Sequence, residues 1–150
     1  MIRSFLLLAS LCLFACSGTK GGESVSQGIR GTVAEAVGNQ MPSPDVKPSG
    51  PQPIATTVYV YELTNMTQVK REGTEPFYSS IGTKEIATVK SDKEGKFALA
   101  LEPGKYSLFT KVDGRFYANS FDGANNIQPI TVEAGKVTEA NIVISAKAFY

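Results

Sequence analysis

The side chains that most often carry out chemistry in proteins are nearly absent from this chain. It contains no histidine and only two cysteines, Cys12 and Cys16, among 150 residues. Histidine is the commonest general base and metal ligand, so its absence rules out Ser-His-Asp, Cys-His and imidazole-metal sites. No glycine-rich run precedes Lys-Ser or Lys-Thr at the spacing of a phosphate-binding loop. We therefore expect no enzymatic activity and no cofactor.

Paired carboxylates are a further class of catalytic group. Two facing acids can act as general acid and base, as in glycoside hydrolysis. Here the acids are scattered over predicted turns and strand edges, at Asp92, Glu94, Asp113, Glu62 and Glu102. This distribution favours a solvated surface over an active site.

The N-terminal residues have the layout of a secretory signal. Arg3 is followed by a mostly apolar run from Phe5 to Phe14 and then by the small residue Ala15. The run is shorter than the roughly 20 apolar residues that a membrane-spanning helix needs. We predict a signal peptide over residues 1–15 that is removed from the mature protein.

Cys16 carries the strongest functional signal in the sequence. Leu13-Phe14-Ala15-Cys16 resembles the lipobox of bacterial lipoproteins, in which the signal peptidase cuts before the cysteine. The resemblance implies a diacylglyceryl group on the Cys16 thiol and two or three acyl chains, such as palmitate, in a membrane. Each buried methylene contributes about 0.8 kcal/mol, so several chains bind far beyond the marginal single-chain case. The alternative is an ordinary signal peptide followed by an incidental cysteine.

Residues 16–27 are small and polar and have no periodicity that could bury a face. After the lipidated cysteine they predict a flexible tether that spans roughly 18 Å on average and about 36 Å at full stretch. Some lipoproteins carry an acidic run here that directs them to the cell exterior, and this chain has none. The expected location is the bacterial cell envelope, anchored in the outer membrane and facing the periplasm.

The mature chain is electrically neutral. Removal of residues 1–15 takes away Arg3 and no acid, which leaves 14 basic and 14 acidic residues. Without clusters of Lys and Arg, the chain lacks the footprint of a nucleic-acid-binding protein. With Cys12 removed and Cys16 acylated, no thiol remains for a disulfide or a metal. The expected partners are the membrane and an envelope protein or glycan.

From Gly28 onward, short runs of alternating polarity are separated by turn residues, which is typical of antiparallel strands. Thr57 to Leu63 is apolar on both faces, as in a central strand. Hairpin turns are predicted at Ser91–Lys96, with Gly95 at positive φ, and at Asp113-Gly114. These patterns predict an all-β fold, one antiparallel β-sandwich of about seven strands over residues 28–150.

Two segments interrupt this rhythm. Asn39 to Pro53 contains five prolines, which exclude a central strand. Thr64 to Thr83 is polar at first and then carries Phe77 and Tyr78. Both are predicted to be long loops.

Several motifs occur in the order found in the carboxypeptidase regulatory-like family. They are Gly28-Ile29-Arg30-Gly31-Thr32-Val33, Ser91-Asp92-Lys93-Glu94-Gly95-Lys96-Phe97 and Leu101-Glu102-Pro103-Gly104-Lys105-Tyr106. The chain resembles this family over most of residues 28–144 and departs from it at the two long loops. The resemblance implies a prealbumin-like, Ig-like sandwich with an accessory, non-catalytic role and supplies no active-site residues.

The stretch from Arg115 to Ile127 is the candidate ligand-binding surface. Alternation places Tyr117, Asn119 and Phe121 on one face, beside a turn with Asp122 and Asn125. Aromatic rings beside amides suit a carbohydrate or peptide, and Tyr78 is a further candidate for a glycan surface. The same residues also suit a packed strand and an Asx turn. A calcium site through Asp122, Asn125 and Asn126 is a third reading, disfavoured because it has a single carboxylate.

Overall fold

The fold comes from a computed structural model that describes residues 24–45, 47–73 and 76–150. The predicted signal peptide, Cys16 and residues 17–23 of the predicted tether lie outside the described residues. The strands are β1 (Gly28–Asn39), β2 (Gln52–Pro53), β3 (Thr57–Glu62), β4 (Val69–Arg71), β5 (Phe77–Ile81), β6 (Glu85–Lys90), β7 (Lys96–Ala100), β8 (Gly104–Val112), β9 (Arg115–Tyr117), β10 (Pro129–Val132), β11 (Val137–Glu139) and β12 (Ile142–Phe149). A single-turn 3-10 helix spans Met66–Gln68.

The strands form two sheets of five and seven strands, which confirms the predicted all-β sandwich. β1 is the centre of the smaller sheet, with β7 and β2 antiparallel to it. On its other side β1 runs parallel to β11 and then to β12. The larger sheet is antiparallel and has the order β4-β5-β9-β8-β3-β6, with β10 beside β8. The strands outnumber the predicted seven partly because Val137 to Ile144 divides into β11 and β12.

The length and register of β1 determine how far apart the entrance of the chain and the end of β12 lie. Its 12 residues, at about 3.3 Å each, span about 36 Å. Gly28 at its start pairs with Val137 and Ala100, and Asn39 at its end pairs with Phe149. The point where the chain enters the sandwich and the point where β12 ends therefore lie at opposite ends of β1.

The main core lies between the two sheets, where alternate residues of each strand point inward. The alternating apolar residues of β1, β7 and β12 are buried, and on β8 Leu108 belongs to this core whereas Phe109 faces away from it. Members of this core include Ile29, Val33, Val58, Val60, Phe97, Leu99, Tyr106, Leu108, Ala140, Ile142 and Ile144.

The predicted hairpin turns are confirmed by their backbone angles. Gly95 has a φ of 74°, and the Asp92 carboxylate accepts a hydrogen bond from the Lys96 N–H across that turn. Asp113 and Gly114 have φ values of 50° and 78°. Both turns need the left-handed region, which Gly and Asp tolerate best.

The two predicted loops differ in outcome. In the proline-rich segment, Asn39 ends β1 and Gln52–Pro53 forms β2, which pairs with Ala34 and Glu35, and the described residues between them form no named strand. The prediction of a loop over residues 64–83 is wrong, because this segment contains the 3-10 helix, β4 and β5. Its apolar residues Met66, Val69 and Ile81 pack against buried side chains of the larger sheet.

Gly31 provides a test of the close contact between β1 and the β11–β12 connection. A Cβ atom at Gly31 would lie 2.1 Å from the Ala140 carbonyl oxygen. Because backbone would have to move, Gly31→Ala is expected to lower the free energy of unfolding by at least about 2 kcal/mol. Urea unfolding followed by circular dichroism measures the change. Gly123→Ala is the control, since no atom lies within 4 Å of its Cβ position, and equal stability of the two variants would contradict the packing.

Candidate functional site

The candidate segment begins as β9 and then leaves the sheet, and the first of its predicted ligand-binding residues, Tyr117, points into the main core. Tyr117 is only 2% exposed. Its hydroxyl oxygen accepts a hydrogen bond from the Ser145 N–H at 3.1 Å and lies 3.1 Å from Ser145 Oγ. The ring is therefore held between the sheets and is not available to a ligand.

Asn119 continues this contact at the surface. Its side-chain amide donates to Ser145 Oγ at 3.1 Å and to the Val143 carbonyl oxygen at 3.4 Å. These groups belong to the edge of β12 that faces away from β1. Unpaired backbone N–H and C=O groups at a sheet edge can pair with strands of other chains. Tyr117 and Asn119 form hydrogen bonds with some of these groups. Two residues predicted to bind a ligand thus close one side of the sandwich.

The following turn is held together by Asp122. Its Oδ1 accepts hydrogen bonds from the Ala124 and Asn126 N–H groups, each at 2.9 Å, and Oδ2 accepts from the Asn126 side-chain amide at 2.8 Å. The bonds from Asn126, and then from Ala124, hold the pKa of this carboxyl below its usual value. Asn125 has a φ of 63°. This is the Asx turn that was the alternative reading of the segment.

The geometry of this turn does not favour a calcium site. Both carboxylate oxygens of Asp122 already accept hydrogen bonds within the turn. In the described part of the chain, no group of three or more His, Cys, Asp or Glu side chains is placed to hold a metal ion.

The structure does not bring the predicted ligand-binding residues onto one exposed surface. Tyr78 is fully buried, and its hydroxyl donates to the Ala118 carbonyl oxygen at 3.3 Å. Tyr117 lies in the main core and Tyr78 in a separate cluster. Phe121, with 45% of its surface exposed, is the one predicted aromatic residue that a ligand could reach.

That separate cluster covers the outer face of the seven-stranded sheet. Val58 and Val60 of β3 point into the main core, so Tyr59 and Tyr61 point outward. We call the cluster of Tyr59, Tyr61, Tyr78, Phe109 and Phe116 the outer aromatic cluster. Its rings meet edge to face, with centroids 5.5–6.2 Å apart among the recorded pairs, a favourable geometry for aromatic pairs.

Lys111 lies at the exposed margin of the outer aromatic cluster. Its Nζ is 4.8 Å from the centroid of Tyr59 and 4.6 Å from that of Phe116. These two rings are half-buried and meet at 83°, so they form a corner that holds the ammonium group. The arrangement is a double cation–π contact.

Tyr61, another member of the outer aromatic cluster, has a partly buried hydroxyl. The Tyr61 hydroxyl donates to Glu85 Oε2 at 3.0 Å. Burial, and then the hydrogen bond to this carboxylate, raises the pKa of Tyr61 to about 12. The phenol is therefore protonated at neutral pH and holds β3 to β6.

A cleft of about 780 Å³ opens between β6 and the end of β7. Its walls include Ile86, Leu101 and Tyr106, and residues 24–27 pass along it. Gln27 fixes this passage, because its side-chain amide donates to the Leu101 carbonyl oxygen at 3.0 Å and accepts from the Gly135 N–H at 2.9 Å. The last residues before β1 are thus bound to the sandwich.

Sequence reasoning missed the outer aromatic cluster, although a signal for it was present. Tyr59 and Tyr61 alternate with two valines, and Phe109 and Lys111 share the opposite face of β8 from Leu108. The pattern indicates that both faces of the sheet are apolar. It does not indicate which segment covers the second face.

Comparison of the chain with protein-family models, curated proteins and solved structures found no match. Among the described residues, no helix has the length and apolar character needed to cross a bilayer.

The hydrogen bonds of Tyr117 to β12 can be tested with Tyr117→Phe. The variant keeps the ring but leaves the Ser145 N–H without its acceptor, so the free energy of unfolding should fall by about 1–2 kcal/mol. Thermal and urea unfolding measure the loss. Tyr150→Phe, at a residue that is 72% exposed, serves as the control. Equal stabilities would show that the contact with β12 contributes nothing.

The raised pKa of Tyr61 predicts a loss of stability at alkaline pH. The folded pKa of about 12 exceeds the ordinary tyrosine pKa of 10.0, so folding favours the neutral phenol. The stabilisation is present below pH 10.0 and is lost as pH rises toward 12. Tyr61→Phe should flatten the fall in unfolding free energy over this range, and Glu85→Gln should flatten it in part. An unchanged pH profile in Tyr61→Phe would contradict the assignment.

Proposed function

We propose that this protein is a lipid-anchored component of the bacterial cell envelope whose β-sandwich, residues 28–150, is a non-catalytic binding or scaffolding module. The observation that carries the proposal is the sequence Leu13-Phe14-Ala15-Cys16 after a short apolar run. In this proposal residues 1–15 are a signal peptide, and Cys16 carries acyl chains in the outer membrane on its periplasmic side. The resemblance to carboxypeptidase regulatory-like domains supports an accessory role.

The geometry of the sandwich is compatible with attachment at one end. The chain enters β1 at Gly28, and the Gln27 side chain binds the Leu101 carbonyl and the Gly135 N–H beside it. β12 ends next to Asn39, at the other end of β1. An anchor at Cys16 would therefore leave the far end and both outer sheet faces accessible to envelope partners.

The non-catalytic role is supported by residue types and by placement. The chain has no histidine. The acids weighed as catalytic candidates lie on the surface, with Glu62, Glu94, Glu102 and Asp113 exposed and Asp92 half-buried in a hairpin turn. The side chain of Asp92 accepts a backbone hydrogen bond in that turn.

Metabolic labelling with radioactive palmitate tests the anchor. The wild-type protein should take up label, fractionate with membranes and begin at Cys16 by mass spectrometry of its N-terminal peptide. Cys16→Ser should lose all three properties because the acceptor thiol is gone. Cys12→Ser is the matched control, since this cysteine belongs to the segment that is removed, and it should behave as wild type. Label that persists in Cys16→Ser, or a mature protein that retains residues 1–15, would refute the proposal.

A further inference from the structure

The outer face of the seven-stranded sheet carries two lysines beside half-buried aromatic rings. Lys90 pairs with Thr57 across β6 and β3, and Lys111 pairs with Phe116 across β8 and β9. Tyr59 pairs with Phe109, so it shares a face with Lys111 two residues further along β8. We call Lys90, Tyr59, Lys111 and Phe116 the basic aromatic strip.

Within the described residues, no carboxylate forms an ion pair with either lysine of the strip. The ion pairs found in the described residues join Arg30 to Glu139, Arg115 to Glu72, Lys136 to Glu133 and Lys147 to Glu35. Lys90 and Lys111 take part in none of them, and both are exposed. The strip therefore presents positive charge in a mature chain that is predicted to be neutral.

Lys111 is also preorganised. Its ammonium is held 4.8 and 4.6 Å from the centroids of the Tyr59 and Phe116 rings. A lysine that is already positioned loses less side-chain entropy when it binds an anion. The parts of the two rings that remain exposed offer apolar surface beside this cation. A ligand with an anionic group next to C–H groups would therefore contact both the ammonium group and the rings.

We propose that the basic aromatic strip binds a uronic-acid-containing polysaccharide. A sugar carboxylate pairs with Lys111, a second one along the polymer pairs with Lys90, and the C–H groups of a pyranose ring cover Tyr59 and Phe116. The hydroxyls of Thr57 and Thr88 lie beside the strip, since Thr57 pairs with Lys90 and Thr88 with Tyr59. They suit the many hydroxyls of a sugar polymer.

Other ligand classes fit this face less well. A neutral glycan leaves both ammonium groups without a partner. A nucleic acid needs a larger number of cations than the strip provides. A peptide added as a strand at the open edge of β6 would reach Lys90, but not Tyr59 and Lys111, which lie on β3 and β8, strands that are paired on both sides. A polyuronate can lie flat on the sheet, so that its carboxylates contact the two lysines and its C–H groups contact the two rings.

This inference names a ligand for the binding module of the proposed function and rests on that role. The test uses the full mature protein in detergent, with polygalacturonate and alginate as probes and fully methyl-esterified polygalacturonate as the uncharged counterpart. Affinity electrophoresis and calorimetry at low salt should show binding to the two acidic polymers and at least about tenfold weaker binding to the ester, the loss of about 1.4 kcal/mol or more.

The variants locate the site. Lys111→Met keeps an unbranched apolar stem over the rings and removes the charge, so it should weaken binding at least about tenfold. Lys90→Gln should weaken it by about threefold. Lys93→Gln removes an exposed charge in the Ser91–Lys96 turn and should bind as wild type. Far-UV circular dichroism confirms folding, and Lys90→Gln tests the site independently if Lys111→Met does not fold.

Several results would overturn the inference. They are absence of binding to both acidic polymers, equal binding of the methyl ester, equal weakening by Lys93→Gln, and tighter binding of an oligonucleotide than of either polyuronate. Palmitate labelling of the same preparation reports separately on the anchor. A labelled protein that does not bind polyuronate would therefore refute this ligand without refuting the lipid-anchored module.

Discussion

The smaller sheet depends on the close approach of β1 to the connection between β11 and β12. All four other strands of this sheet pair with β1. Partway along β1 its parallel neighbour changes, and there the Ala140 N–H donates to the Arg30 carbonyl at 2.7 Å while the Asn141 side chain accepts from the Thr32 N–H at 3.0 Å. Gly31 lies between these contacts, and its lack of a Cβ lets the two backbones meet. β1 can therefore pair with β11 and then, further along its length, with β12.

The larger sheet separates side chains that are neighbours in the chain. Phe77 and Tyr117 pair across β5 and β9 and point into the main core, whereas Tyr78 and Phe116 pair in the same strands and point outward. Both faces are apolar, so both must be covered. The five-stranded sheet covers one face, and Met66, Val69 and Ile81 pack against the buried side chains of the other. The rings left at the margin are those next to Lys111.

The features that could be predicted from sequence are those set by local chemistry. The turns at Gly95 and Asp113-Gly114 and the inward sides of β1 and β7 follow from positive-φ preferences and from the two-residue period of a strand. The contacts of Tyr117 with Ser145, 28 residues away, could not be predicted, because alternation tells which residues share a face and not which strand lies opposite. For the same reason the alternation around Tyr117 suited both a packed strand and a ligand surface. In the structure the Tyr117 hydroxyl forms hydrogen bonds at the edge of β12.

The parallel pairing of β1 with β12 has a mechanical consequence. Force applied between the entrance of the chain at Gly28 and the end of β12 at Phe149 acts along both strands. The hydrogen bonds from Val33 to Asn39 then bear the load side by side in shear, and they must yield together rather than one after another as in a hairpin pulled open from its end. Extension along the axis of β1 and β12 is therefore the direction in which the smaller sheet resists force best.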